Sequence, residues 1–507
     1  MPTSSNSQSL DRALVAGIAW TAVLRWTAQA VSWVATFYVA RVLVPGDYGI
    51  VSMAMLGIGF LRMVEDFGFD SILVQDRGIV GTQQARLAGL ILSVGMAFCA
   101  CLILLAKPIA GFFKEPQVAA AIAALSLLFL TDALQVVPRA TLQRRLQFRR
   151  IASLALVQTI ATQAVLVGAA VAGWGFWSLI ASTISGAVVV TAVLLAWCPY
   201  SLAWPRQLGQ LALPLLQGWR VIVGRIAGYA FGSADQLLIG RVLGKDLLGA
   251  YSFATTFAYL PFQEVSAIVS KVVPGVFSDV QRSRAELRRY FLLLTEFLAY
   301  LTLPMSIGLA LVADLAVRLA LGPKWGDAVG PLRLLCLYAA FQGCQILIAH
   351  VLTWTGQFRA LMWCTVLAGV VLPLGFLIAV HHGLEGVALV WAVVYPLVNI
   401  PPLILGFRTI DISYRDWFGS LKPAGIACAA MSMAVLLARL VLPPDLPVAV
   451  SLTVVVGLGA LVYAATLWFG FHARVRAIIE FVNVARGRPS TTGAAVVASA
   501  PPARAEP

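Results

Sequence analysis

Charge is scarce in this chain: Asp, Glu, Lys and Arg make up 11% of its 507 residues, against roughly 25% in a soluble protein. That shortage excludes an ordinary aqueous enzyme domain, because too few ionised side chains remain to cover a water-facing surface. Histidine is rarer still, with four copies. His381 and His382 sit in one loop, and His350 and His472 stand alone, so no metal-ligand spacing arises. The seven cysteines (Cys99, Cys101, Cys198, Cys336, Cys344, Cys364, Cys428) form no CxxC pair and read as small apolar packing residues. No GxxxxGK[ST] loop is present to cradle nucleotide phosphates. The sequence therefore predicts no cofactor and no metal, and any work done must draw on a gradient.

What the chain has in quantity is apolar residues, 60% of the total, with a mean hydropathy of +0.88. Apolar windows of about twenty residues, the length that crosses a bilayer as helix, recur from end to end. They begin near residues 13, 48, 86, 117, 151, 176, 213, 248, 289, 329, 359, 384, 421 and 449. The expected fold is an all-α polytopic membrane protein of about 14 transmembrane helices. The apolar segment after the polar stretch 1–12 is too long and too lightly basic for a cleavable signal and is expected to be a retained span.

Lys and Arg outnumber Asp and Glu by 36 to 22, an excess that would suggest nucleic acid in a soluble protein. Here the placement argues otherwise. Arg139, Arg144, Arg145, Arg149 and Arg150 fill one loop. Lys271, Arg282, Arg284, Arg288 and Arg289 fill a second, and Arg474, Arg476, Arg486, Arg488 and Arg504 lie in the tail. All three fall on one face of the membrane under the span count, while 173–176, 380–384 and 441–448 on the other face carry neither Lys nor Arg. The positive-inside rule then predicts both termini in the cytoplasm, with the basic loops touching anionic lipid rather than nucleic acid. A short interfacial helix is expected after His472, followed by a disordered tail rich in Ala, Ser, Thr and Pro.

An internal repeat organises the spans. At an offset of 200, Arg25 recurs as Arg225, Arg41-Val42-Leu43 as Arg241-Val242-Leu243, and Gly49, Ser52 and Ala54 as Gly249, Ser252 and Ala254. Six spans separate the copies, so both enter the membrane in the same direction, a parallel repeat. The expected domains are a cytoplasmic segment 1–12, a six-helix lobe 13–200, a second six-helix lobe 201–408, two extra helices in 409–470 and a cytoplasmic tail 471–507.

An ionisable group in a spanning helix costs several kcal/mol unless it is paired or faces water. Thr21, Arg25, Gln29, Ser32 and Thr36 follow at helical spacing on one face. Their repeat partners include Gln217, Arg220 and Arg225, followed by Gly228, Gly232 and Asp235. Matching helices thus offer cations to a shared cleft, although pairing with neighbouring carboxylates explains the same residues. Arg62, Glu65 and Asp66 read as a rim ion-pair group, and Gly224, Gly228 and Gly232 as close helix packing. Asp132, Asp235, Glu264 and Glu296 are carboxylates within spans. Of these, Asp235, Glu264 and Glu296 are the ion-coupling candidates, each able to carry a proton or sodium ion if desolvated.

Ala19-Trp20, Arg25, Gln29, Ala40 through Gly49 (Ala-Arg-Val-Leu-Val-Pro-Gly-Asp-Tyr-Gly), Met53-Ala54-Met55, Glu65-Asp66-Phe67-Gly68 and Val74-Gln75 together resemble the start of Wzx-type polysaccharide flippases. These form part of the polysaccharide transport branch of the multidrug/oligosaccharidyl-lipid/polysaccharide (MOP) exporter superfamily. The resemblance implies two six-helix bundles around a cationic cavity with two further helices. It also implies a cargo: an oligosaccharide on undecaprenyl pyrophosphate, moved from the cytoplasmic to the outer leaflet of the bacterial inner membrane. Such a headgroup suits Arg25, Arg220 and Arg225 as phosphate ligands, with Thr21, Gln29, Ser32 and Gln217 lining the cavity. Coupling to H+ or Na+, a polysaccharide polymerase and a chain-length regulator as partners, and no enzyme activity complete the expectation. The competing readings are another MOP exporter (a lipid II flippase or a drug/cation antiporter), a membrane-embedded polymerase or acyltransferase, and a non-transporting scaffold.

Overall fold

The computed structural model describes residues 27–65, 73, 81–145, 147–204, 228–229, 232–280, 284–443 and 445–485. Among these residues the regular structure is helical. The sequence-predicted spans that fall on the described residues are helical; the start of the first span (13–26) and most of the span expected from residue 213 lie outside them. The helices run α1 (Thr27–Val42), α2 (Pro45–Glu65), α3 (Thr82–Phe113), α4 (Gln117–Arg144), α5 (Phe148–Val171) and α6 (Phe176–Trp197). Then follow α7 (Ala234–Val242), α8 (Lys245–Val280), α9 (Arg284–Leu311), the short α10 (Ala313–Ala320), α11 (Val329–Trp354) and α12 (Phe358–Ala379). The chain continues through α13 (Gly383–Leu389), α14 (Tyr395–Val398), α15 (Ile400–Thr409), α16 (Tyr414–Val441), α17 (Val448–Gly470) and α18 (His472–Ala485).

Nine helical runs among the described residues are long and apolar enough to cross a membrane, and the pair α1 and α2, bent by 117° at 43–44, makes a tenth. One run, Phe358–Thr409, has 52 residues. As a straight helix it would be about 78 Å long, far beyond the ~30 Å hydrocarbon core. Its course breaks at Val380–His382, where Gly383 adopts a φ of 79°, a left-handed conformation that glycine tolerates. Two crossings therefore lie in this one run. The prediction of an all-α polytopic membrane fold holds.

The chain forms two compact units. Unit one contains 1–254, 320–328 and 368–390; unit two contains 255–319, 329–367 and 391–507. In unit one, α3 packs on α4 through Leu87, Ala88, Ile91, Ala133 and Val137, while Leu154 of α5 meets Val190 and Leu194 of α6. In unit two the core gathers Phe291, Leu294 and Leu298 of α9, Leu347, Ile348 and Val351 of α11, and Phe407 and Trp417. Ser413 and Asp416 close a reciprocal capping box at the start of α16, satisfying amides that would otherwise be orphaned. Arg439, near the end of α16, grips Asp314 of α10 and the Leu311 carbonyl. Burial alone would raise the Asp314 carboxyl, but the hydrogen bonds and charge of Arg439, with help from Arg333, outweigh it and hold the group below the usual carboxylate range.

Candidate functional site

The repeat comes together physically in unit one. A Cβ built on Gly49 would overlap the carbonyl of Lys245, and one built on Gly249 would overlap the carbonyl of Pro45. These contacts are reciprocal: adding 200 to 49 and 45 gives 249 and 245. The starts of α2 and α8 are thus pressed backbone to backbone, an approach that only residues lacking Cβ permit and that brings Cα–H groups against carbonyl oxygens. The same seam places Gly46 against Asp246. Asp47, in the first turn of α2, accepts from the Val44 amide at 3.2 Å, fixing the sharp corner after α1.

A buried Trp325 locks one side of the seam. Its Nε1 donates to the Ala40 carbonyl at 2.9 Å, and its ring stands edge-on to Tyr48 and Phe253, with centroids 5.3 and 4.4 Å away. Lys324 donates to the carbonyls of Arg41 and Val42, and Arg41 Nε donates to the Ala320 carbonyl at 3.3 Å. On the other side Lys245 pairs with Glu115 at 3.2 Å, and the guanidinium of Arg241 sits over the Phe112 ring at 5.4 Å.

Five of the sequence-predicted site residues, Thr21, Arg25, Gln217, Arg220 and Arg225, lie outside the described residues. Gln29 is exposed on α1. Ser32, half-buried, accepts from Gln163 Nε2 of α5 at 3.1 Å. The buried amide oxygen of Gln163 has no donor among the described residues, so this part of the polar stripe keeps hydrogen-bonding capacity to spare.

Asp235 is 3% exposed and accepts from the Tyr251 hydroxyl at 2.7 Å and from the Gln236 amide, tying α7 to α8. Glu296 of α9 accepts from Tyr300 at 2.7 Å and pairs with Arg474 of α18 at 3.5 Å. Glu264 lies on α8 with its side chain outside the described residues. Arg62 pairs with Asp132 of α4 at 2.7 Å, 70 residues away; the other members of its rim group, the Glu65 side chain and Asp66, lie outside the described residues. Of the glycines read as close helix packing, Gly224 lies outside the described residues, and a Cβ at Gly228 or Gly232 would meet nothing among the described residues. Close backbone packing by glycine is present at Gly49 and Gly249. Trp325, Lys324 and Gln163 were not singled out by sequence reasoning; the polar Pro-Lys-Trp-Gly interruption at 323–326 is the signal that marks the first two.

A family model described as polysaccharide biosynthesis protein matches residues 38–330, from α1 through the segment that carries Trp325. The chain belongs to this family. It is 25% identical over 506 residues to the succinoglycan biosynthesis transport protein ExoT of Rhizobium meliloti, covering 98% of this chain and all of the relative. It is 26% identical over 342 residues to the lipopolysaccharide biosynthesis protein WzxC of Escherichia coli, covering 65% of this chain and 67% of the relative. Among solved structures, the lipid II flippase MurJ in an inward closed conformation aligns with a TM-score of 0.73 at 12% identity, covering 90% of this chain and all of that one. An inward-facing multidrug resistance MATE family transporter of the MOP superfamily aligns with a TM-score of 0.58 at 14% identity, covering 76% and 94%. The polysaccharide biosynthesis family member described here thus has the fold of a MOP transporter and is a multi-pass membrane protein.

Proposed function

We propose that this chain is a flippase of the bacterial inner membrane. It carries oligosaccharide linked to undecaprenyl pyrophosphate from the cytoplasmic to the outer leaflet, by alternating access driven by an H+ or Na+ gradient. The observation that carries this reading is the seam. Equivalent corners of a duplicated sequence are clasped at one end of their helices by backbone contacts that a single methyl would part. Such a junction suits a gate that opens and closes as a unit, because packed interfaces are bistable rather than continuously deformable. The relatives named as transport and polysaccharide biosynthesis proteins supply the cargo class.

In this reading the pyrophosphate rests on Arg25, Arg220 and Arg225, whose planar guanidinium groups match phosphate oxygens in pairs. Thr21, Gln29, Ser32 and Gln217 line the aqueous path of the sugars. The Gln163 oxygen left over beside Ser32 adds an acceptor for a sugar hydroxyl. Asp235, Glu264 and Glu296 are the coupling candidates. For Asp235 and Glu296, taking up an ion means releasing the hydroxyl of Tyr251 or Tyr300, which links ion occupancy to helix contacts. Both termini face the cytoplasm, which puts the seam on the outer side, and a polymerase with its chain-length regulator receives the product.

The test is a lipid extraction from cells lacking the protein. Undecaprenyl-linked oligosaccharide should accumulate in the cytoplasmic leaflet and return to normal when the wild-type chain is restored. Arg25→Ala and Arg225→Ala should insert normally yet fail to restore export. Absence of accumulation would overturn the cargo assignment, and accumulation of lipid II instead would move the chain to that substrate.

A further inference from the structure

Unit one carries a groove of about 650 Å³ formed by α2, α3, α7 and α12, with Leu56, Phe60, Leu102, Phe112, Leu237 and Leu374 among its apolar walls. The volume falls within the range of small-molecule sites, roughly 300–1,000 Å³. Several of these side chains, Phe112, Leu237 and Leu374 included, are exposed, and in a chain that spans a membrane an exposed apolar wall meets hydrocarbon. From Leu102 to Phe112 the groove follows α3 for about 15 Å at 1.5 Å per residue. That is half of the ~30 Å core, the depth of one leaflet.

The two ends differ chemically. At the deep end the Tyr229 hydroxyl already donates to the Leu56 carbonyl at 2.9 Å. At the other end the wall is Phe112, and just beyond the lining residues Arg241 lies over that ring, its Nη1 buried with no hydrogen-bond acceptor among the described residues. The repeat mate is held differently: Arg41 donates its Nε to the Ala320 carbonyl. A buried guanidinium N–H without an acceptor is costly, and a phosphate oxygen is the acceptor it matches best. Lys114, which ends α3 at this level, adds positive charge.

We propose that this groove is a binding site for a glycerophospholipid of the leaflet at the seam end, with one acyl chain along α3 and its phosphate on Arg241. The proposal does not depend on the proposed cargo. The lipid would brace α7 against α3 beside the seam.

The experiment is native mass spectrometry of the full chain, delipidated in detergent and titrated with phosphatidylglycerol. The wild type should bind one molecule at saturation. Arg241→Gln should weaken that binding by about tenfold, the effect of one charge-assisted contact. Leu237→Trp, which fills the groove from an exposed position, should abolish it. Leu104→Trp, at a 78% exposed position on α3, should bind as the wild type does, and melting of each variant reports that it is folded. Wild-type affinity in Arg241→Gln, or equal binding by the two tryptophan variants, would overturn the site. Displacement of phosphatidylglycerol by equimolar undecaprenyl phosphate would overturn it too, assigning the groove to a prenyl chain.

Discussion

The two copies of the repeat meet at the seam with the same backbone and different side-chain fastenings. Around Arg41 the protein supplies everything: the Ala320 carbonyl takes its Nε, while Lys324 and Trp325 bind the carbonyls of residues 40–42. Around Arg241 the protein supplies a Phe112 ring and, nearby, the Lys245–Glu115 pair. The difference teaches that the duplication preserved what only main-chain geometry can do, namely the glycine contacts, and let each guanidinium find its own surroundings. One side is a lock of aromatics around the buried Trp325; on the other a guanidinium rests on one exposed aromatic ring.

The heaviest blow to this pairing is Gly249→Ala, or equally Gly49→Ala. Each puts a methyl into a backbone carbonyl, an overpacking that costs about 1–3 kcal/mol and that an open seam would relieve. Flipping in proteoliposomes should fall at least tenfold with membrane insertion unchanged, whereas Gly228→Ala, where a Cβ would meet nothing among the described residues, should flip normally. Next comes Trp325→Ala, which removes a fully buried side chain from between Tyr48 and Phe253. By analogy with other large-to-small core changes it should cost about 3–5 kcal/mol, read as a lowered melting temperature in detergent. Phe112→Ala on the opposite side, where the ring is exposed, should cost clearly less; equal losses would erase the asymmetry between the copies.

Hydropathy made the spans legible, because crossing a bilayer demands about twenty apolar residues regardless of tertiary context. The fixed offset of 200 made the repeat legible, since scarce Arg and Gly recurring together mark positions whose chemistry cannot be exchanged for Leu or Ala, but it did not show that Gly49 and Gly249 meet their mates' backbones. Partners were another matter. Nothing local to Arg62 points to Asp132, and nothing around Ala40 announces Trp325, a contact 285 residues away. Such pairs are set by which helix faces meet. Small-residue spacing has the same limit: it permits close packing but does not name the neighbour, as Gly49 against Lys245 illustrates.

Smaller effects separate structural charges from functional ones. Arg62→Ala breaks a pair whose members are both more than a third exposed, so its cost should stay below about 1 kcal/mol, with flipping retained. Asp314 in unit two titrates below the usual carboxylate range because Arg439 holds its charged form. Its stabilisation is therefore present above the unfolded value near 3.9 and is lost as pH falls through the lower folded value. Melting in detergent should drop more steeply in acid for the wild type than for Arg439→Met, and identical acid profiles would remove Asp314 from the account.

The most direct measurement uses the seam itself. Gly46→Cys combined with Asp246→Cys, in a chain whose native cysteines are replaced, places two thiols on either side of the seam, where the Asp246 side chain already lies against the Gly46 backbone. Joining them with a short bifunctional thiol reagent should succeed in the resting protein and stop flipping, and a reducible version of the link should restore flipping once it is cut. Full flipping with the link intact would show that the two repeat copies never part there, and would contradict the gate.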